Sequence, residues 1–249
     1  MTDRWRLGAN LSTLANGLLG VGAILYTLAG NKLWAMFLIV AAIGFDGLDG
    51  ILSRRSPLPS GRFGRIADSI ADAVTFGIAP AFLIAIHTSD VGVWRPYAAT
   101  ATILAIAYAA AALARLVYFT ARAHHLPHFL GVPTPQSALA LVVALLFHDT
   151  PAFQGVQPIG VLTGVAILSV MMVVPVPYPK IRRGAKLRGP MTATAVFAAV
   201  TLVLLQFSAA RTGPLYSIAE VAAYGLLVGV ASYYLLGPFT TRPAAAAAP

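Results

Sequence analysis

A chain of 249 residues that is 58% hydrophobic and 10% charged, with a mean hydropathy of +0.79, cannot clothe itself in polar surface; a soluble domain carries about 25% charged residues. The composition excludes a free globular protein in water, and the lack of cysteine excludes disulfides and thiolate metal sites. The net charge of +9 is assigned to membrane topology and anionic lipid rather than to nucleic acid, because cytoplasmic loops of membrane proteins collect Lys and Arg.

In chain order, the short basic start MTDRWRLGANLSTLANG has no small-residue cleavage site before its apolar run, so it is read as a retained first span. Apolar segments able to cross about 30 Å of hydrocarbon follow at 11–29, 33–52, 66–87, 97–120, 135–147, 159–174, 191–207 and 215–236. Eight spans place both termini on one side. Arg4, Arg6, Arg54, Arg55, Arg62, Arg65, Arg115, Arg122, the run from Lys180 to Arg188 and Arg242 then share that side. Only Lys32, Arg95 and Arg211 of the 17 basic residues fall on the other. The bias makes the termini side cytoplasmic. Pro-rich SPLPSG and VPVPYPK mark loops. The expected fold is an all-α polytopic helical bundle: one domain over 1–240, with the low-complexity tail 241–249 disordered.

Half of the eight acidic residues lie in one stretch at the cytoplasmic ends of the second and third spans: Asp46, Asp49, Asp68 and Asp72. A carboxylate near hydrocarbon costs a few kcal/mol or more and is a functional candidate by default. Spacings of three and four place each pair on one helix face. Gly50 and Ser53 extend the first stripe and Gly64 the second. Two helices joined by a short loop are neighbours, so the faces converge on one site. Oxygen-only ligands suit magnesium, manganese or calcium rather than zinc. Gly44, Gly47 and Gly50 recur every third residue; Gly44 is assigned to helix packing and Gly50, beside Asp49, to a ligand. Arg54, Arg55, Arg62 and Arg65 surround the carboxylates, which together with a metal describes a phosphate site; Arg55 and Arg62 are equally explained by topology.

Asp46-x-x-Asp49-Gly50-x-x-Ser53-Arg54 followed by Gly64-x-x-x-Asp68-x-x-x-Asp72 resembles the CDP-alcohol phosphotransferase signature D-x-x-D-G-x-x-A-R…G-x-x-x-D-x-x-x-D, with Ser53 in the Ala position. DSIADAVTFGIAPA (68–81) is similar to a stretch of the phosphatidylserine synthase branch. So are Asn10-x-x-Thr13-x-x-Asn16, FLGVPTPQSA (129–138) and MMVVPVPYPK (171–180). The resemblance runs from about Asn10 to Lys180 and implies a six-helix family core, here followed by two C-terminal spans. One departure stands at the end of the fourth span, where the branch has R-L-A-R-F-N and this chain has Arg115-Leu-Val-Tyr118-Phe-Thr120.

The resemblance implies two divalent cations, Mg2+ or Mn2+, held by Asp46, Asp49, Asp68 and Asp72, with Asp72 as general base. It implies nucleotide contacts from Asp49, Gly50, Ser53, Arg54 and Gly64, and acceptor contacts among Arg115, Tyr118, Thr120, Lys180 and Arg182. The implied reaction moves the phosphatidyl group of CDP-diacylglycerol, or of a CDP-activated ether lipid, to serine with release of CMP. Inositol phosphate, glycerol phosphate or another alcohol is the alternative acceptor. The implied setting is the cytoplasmic membrane, as a homodimer among membrane lipids. A cation-coupled transporter is the reading of another class; only Glu220 lies within a span away from the cluster. The histidines of HHLPH (124–128) are read as loop, and Trp5, Trp34 and Trp94 as an interfacial aromatic belt.

Overall fold

The computed structural model describes residues 4–56, 61–87, 94–118, 120, 129–149, 158–178, 221, 225, 228–232 and 234. Its elements are almost all helical: α1 (Arg4–Leu28), α2 (Lys32–Arg55), α3 (Arg62–Asp72), a π-helical segment (Ala73–Ile78), α4 (Ala79–His87), a 3-10 turn (Arg95–Tyr97), α5 (Ala98–Tyr118), α6 (Thr134–Asp149) and α7 (Pro158–Val173). Four stretches are long and apolar enough to cross a membrane: Arg4–Leu28, Lys32–Arg55, Phe63–Ile86 and Arg95–Tyr118. The shorter apolar helices are Thr134–Leu146 and Pro158–Val173. These six correspond to the first six expected spans. The seventh lies outside the described residues, and of the eighth only 221, 225, 228–232 and 234 are described, all helical.

α1 shows how a membrane sequence inverts the soluble pattern. Its buried residues are Ala9, Ser12, Asn16, Gly20, Ala23 and Thr27, a small and polar stripe at helical spacing. Leu7, Leu11, Leu14, Leu18, Val21 and Leu25 face outward, where lipid rather than water receives them. Small residues let backbones close up when no hydrophobic force separates inside from outside. A Cβ on Gly17 would stand 3.5 Å from the Cβ of Ala71, and one on Gly20 would stand 2.8 Å from the Cα of Thr75. α1 therefore packs onto α3 and the π segment through glycine. Gly44, expected to serve that purpose in α2, is exposed and has no described atom within 4 Å of a Cβ built there. The close approach is made by the glycines of the first helix instead.

α1 turns into α2 at Gly30, whose φ of 77° suits glycine, and Asn31 caps α2 by accepting from the Trp34 amide at 3.4 Å. Tyr26 and Trp34 stack across the turn with centroids 6.2 Å apart. The third span is the most interior, with half of its apolar window buried. Its π segment has a local cause. Pro80 has no N–H to bond the carbonyl of Phe76 four residues earlier, and the Ala79 N–H reaches back to Val74 instead. The Tyr108 hydroxyl on α5 donates to the freed Phe76 carbonyl at 3.2 Å.

Phe129–Leu130 and Pro177–Tyr178 form a two-stranded antiparallel ribbon that pairs Phe129 with Tyr178. Beside it Gly131 donates to Val176 at 2.9 Å and Val132 to Met171 at 3.0 Å. Gly131 has φ of 73° and its missing Cβ would collide with the Met172 carbonyl, so glycine is required twice over. The ribbon ties the entrance of α6 to the exit of α7. The core joins Ile39, Phe76, Leu83, Tyr108, Leu139 and Val165, among others, with Val230 and Tyr234 packed against it. Trp94 is 2% exposed within that core, unlike the expected interfacial belt, whereas Trp5 is exposed and carries the Arg55 guanidinium 5.3 Å above its ring.

Candidate active site

The second half of α2 and the last two turns of α3 bring three carboxylates together. Asp46, Asp68 and Asp72 each offer an oxygen, and these oxygens lie within 4.8 Å of one another. All three side chains are half-buried. Asp68 also has a buried Oδ1 with no hydrogen-bond partner among the described residues. Asp49 stands one step aside. Its carboxylate accepts from the Ser53 hydroxyl at 3.1 Å, has the Thr13 hydroxyl within hydrogen-bonding reach, and faces the carboxyl of Asp68. The Arg54 charge acts on both Asp46 and Asp49.

Carboxylates crowded this closely repel unless a cation or proton stands between them. The unsatisfied Asp68 oxygen, the all-oxygen donor set and the short separations fit a hard divalent cation. The acidic cluster is thus a metal-binding arrangement in its donor chemistry.

Asp72 is held from the first helix. Asn16, fully buried, donates its Nδ2 to Asp72 Oδ1 at 2.9 Å. The Asn16 carbonyl in turn accepts from Thr75 at 2.9 Å, so α1, α3 and the π segment lock together around this carboxylate. Asn16 Oδ1 has no hydrogen-bond partner among the described residues. Arg115, buried in the last turn of α5, is also close enough for its charge to act on Asp72. Its Nη1 reaches the Thr134 hydroxyl of α6 at 3.5 Å.

The other expected residues are placed as follows. Gly50 leaves room for its neighbour, since a Cβ there would meet the Arg54 guanidinium at 3.5 Å. Gly64 opens onto space, with nothing within 4 Å of a Cβ position. Thr120 shares a 2.7 Å hydrogen bond with Ser69 of α3, and Tyr118 is 47% exposed. Lys180 and Arg182, with His124, His125 and His128, lie outside the described residues. Thr13 and Asn16 were legible in the sequence as part of N-x-x-T-x-x-N, but nothing in that spacing connects them to aspartates more than thirty residues away. The available signal was two polar side chains one turn apart in an apolar span, which need partners inside the protein.

Residues 6–176 match the family model of CDP-alcohol phosphatidyltransferase. The chain is 32% identical over 176 residues to a CDP-diacylglycerol–serine O-phosphatidyltransferase of Helicobacter pylori, an alignment covering 70% of this chain and 72% of that protein. It is 29% identical over 177 residues to the Bacillus subtilis protein of the same name, covering 70% of this chain and 90% of the relative. An archaetidylserine synthase of Methanothermobacter thermautotrophicus is 27% identical over 173 residues, covering 69% of each chain.

Proposed function

The chain belongs to the CDP-alcohol phosphatidyltransferase family, and from that premise we propose that it transfers the phosphatidyl group of a CDP-activated lipid to serine, releasing CMP. The single observation that carries this reading is the convergence of Asp46, Asp68 and Asp72, with Asp72 held by Asn16 and under the charge of Arg115. The names of the bacterial relatives favour serine and CDP-diacylglycerol. The archaeal relative keeps a CDP-activated ether lipid open as donor.

Asp46, Asp49, Asp68 and Asp72 would hold two divalent cations, Mg2+ or Mn2+. Bound there, such ions would supply positive charge to the donor pyrophosphate and to the attacking and leaving oxygens. Asp72 acts as general base. Its Oδ1 is engaged by Asn16, which orients the other oxygen for the proton of the incoming hydroxyl. The hydroxyl oxygen, its proton passed to Asp72, bonds to the lipid-side β-phosphorus as the bond to CMP breaks, and catalysis is chiefly positioning. Arg54 lies along the nucleotide side, where Gly50 and Gly64 leave room for the cytidine and its phosphates. Ser53 orients Asp49 through its hydroxyl. Arg115 faces the acceptor. The site belongs to the cytoplasmic face of the cell membrane, where lipid tails stay in the bilayer while serine and CMP diffuse, and the protein works as a homodimer.

The test is CMP release by the purified chain with Mn2+ or Mg2+ and CDP-diacylglycerol, supplied separately with serine, inositol phosphate or glycerol phosphate. CMP with serine is expected. CMP only with another acceptor would replace serine, and no CMP with any of them would sink the transferase reading.

A further inference from the structure

The face of α2 turned away from the acidic cluster is built as a track. Gly44, Leu48, Ile51 and Arg55 are all exposed, and their spacings of four, three and four make one stripe of a helix. At about 100° per residue, this stripe lies on the far side of α2 from Asp46 and Asp49. No described atom stands within 4 Å of a Cβ built on Gly44. The stripe is therefore open at its glycine, lined by two aliphatic side chains and ended by a cation. From Arg55 to Gly44 the helix rises about 16 Å, roughly the depth of one leaflet of a hydrocarbon core about 30 Å thick.

The charged end of the track is joined to the first helix. A Cβ on Gly8 would stand 3.2 Å from Leu52 Cδ1, so the start of α1 closes onto the end of α2. There the Arg55 guanidinium lies 5.3 Å over the exposed ring of Trp5, and the neighbouring Arg4 is exposed as well. A guanidinium stacked on a ring still directs its N–H groups outward in its own plane, where an oxyanion meets them. Trp is the residue of the membrane interface. Residues 1–6 and 52–56 hold Arg4, Arg6, Arg54 and Arg55 against Asp3 alone, which lies outside the described residues. We propose that Arg4 and Arg55, with Trp5 beneath Arg55, bind the phosphate of an anionic phospholipid whose acyl chain lies along Ile51, Leu48 and Gly44. The occupant is a lipid of the surrounding bilayer rather than the CDP-lipid, because the track faces away from the carboxylates. The site is independent of the transfer reaction proposed above.

The test is native mass spectrometry of the purified full chain released from dodecyl maltoside micelles that contain dioleoylphosphatidylglycerol or dioleoylphosphatidylcholine. EDTA is present so that no divalent cation fills the acidic cluster. Wild type should keep phosphatidylglycerol in preference to phosphatidylcholine. A basic residue near a membrane surface is worth about fivefold in affinity for anionic lipid, so Arg4→Gln combined with Arg55→Gln should weaken retention about 25-fold. Gly44→Leu keeps every charge and has room for its side chain, yet it fills the acyl track and should weaken retention too. Diffuse attraction to a basic surface would leave Gly44→Leu like wild type. Equal retention of the two lipids by wild type, or unchanged retention in either variant, overturns the site. So does replacement of phosphatidylglycerol by CDP-diacylglycerol when both are supplied equally, which would give the track to the donor. Loss of a dimer in Gly44→Leu would give it to a second copy of the chain and overturn the lipid site as well.

Discussion

The two sides of Asp72 are built in different ways. On one side, Asp46 and Asp49 come from α2 and Asp68 from α3, helices consecutive in the chain, each with its acidic residues one turn apart. On the other, Arg115 comes from α5, Thr134 from α6, and Asn16 reaches in from α1. Local spacing builds the acidic side, and packing builds the side toward Arg115. A two-carboxylate stripe survives most changes elsewhere in the chain because the helix itself carries it. The Arg115 side exists only while α1, α5, α6 and the π segment keep their mutual positions. On the reading proposed above, chemistry common to many acceptors is assigned to the side that is hard to lose, and acceptor choice to the side that is easy to alter.

Mutations can break or sharpen this contrast. The largest effect is expected at the residue shared by both sides: Asp72→Asn should lower CMP release by about 10²–10⁴-fold, the usual worth of a general base, with CDP-lipid binding largely spared. Full turnover by the purified variant would remove the base from Asp72 and with it the pivot of the comparison. Next comes Asn16→Ala, which leaves Asp72 in place but unheld. A lost orienting partner costs about 10–100-fold. The loss should fall on kcat with little change in the KM for serine; a rise confined to KM would move Asn16 from positioning the base to gripping the acceptor. The smallest effect is expected at Tyr108→Phe, which touches neither side directly but leaves the buried Phe76 carbonyl without its 3.2 Å donor. That should cost about 1–3 kcal/mol of stability, read as a lower unfolding midpoint in detergent. An unchanged midpoint would mean that the π segment satisfies its own carbonyl.

The sequence disclosed these parts unequally, for physical reasons. Asp46, Asp49, Asp68 and Asp72 were legible because their spacing is the helix period and because ionised groups are rare in apolar spans. The first six spans were legible from hydropathy, with α1 starting earlier than expected because Arg4 and Arg6 extend the helix without being apolar. The bond from Asn16 to Asp72 was not legible, since periodicity along one helix says nothing about which neighbour its polar stripe will meet. Nor was the packing role of Gly17 and Gly20 over Gly44. All are glycines in apolar spans, and only the partner's position distinguishes them. Thr120 shows the same limit: no spacing along the chain announces that its hydroxyl lies 2.7 Å from that of Ser69.

The π segment between Asp72 and Pro80 sets an angular phase. Each residue of an α-helix advances the chain by about 100° around its axis, and a π turn takes in one residue more than an α turn. The slip lets the first half of the third span point Asp68 and Asp72 into the cluster, while the second half still turns Leu83 and Ile84 into the core. Removing one residue from this interval would leave every letter of the aspartate signature intact and rotate its aim by about a third of a circle. The interval from Asp72 to Pro80 is therefore as much a part of the site as the aspartates, although it contributes no ligand to it.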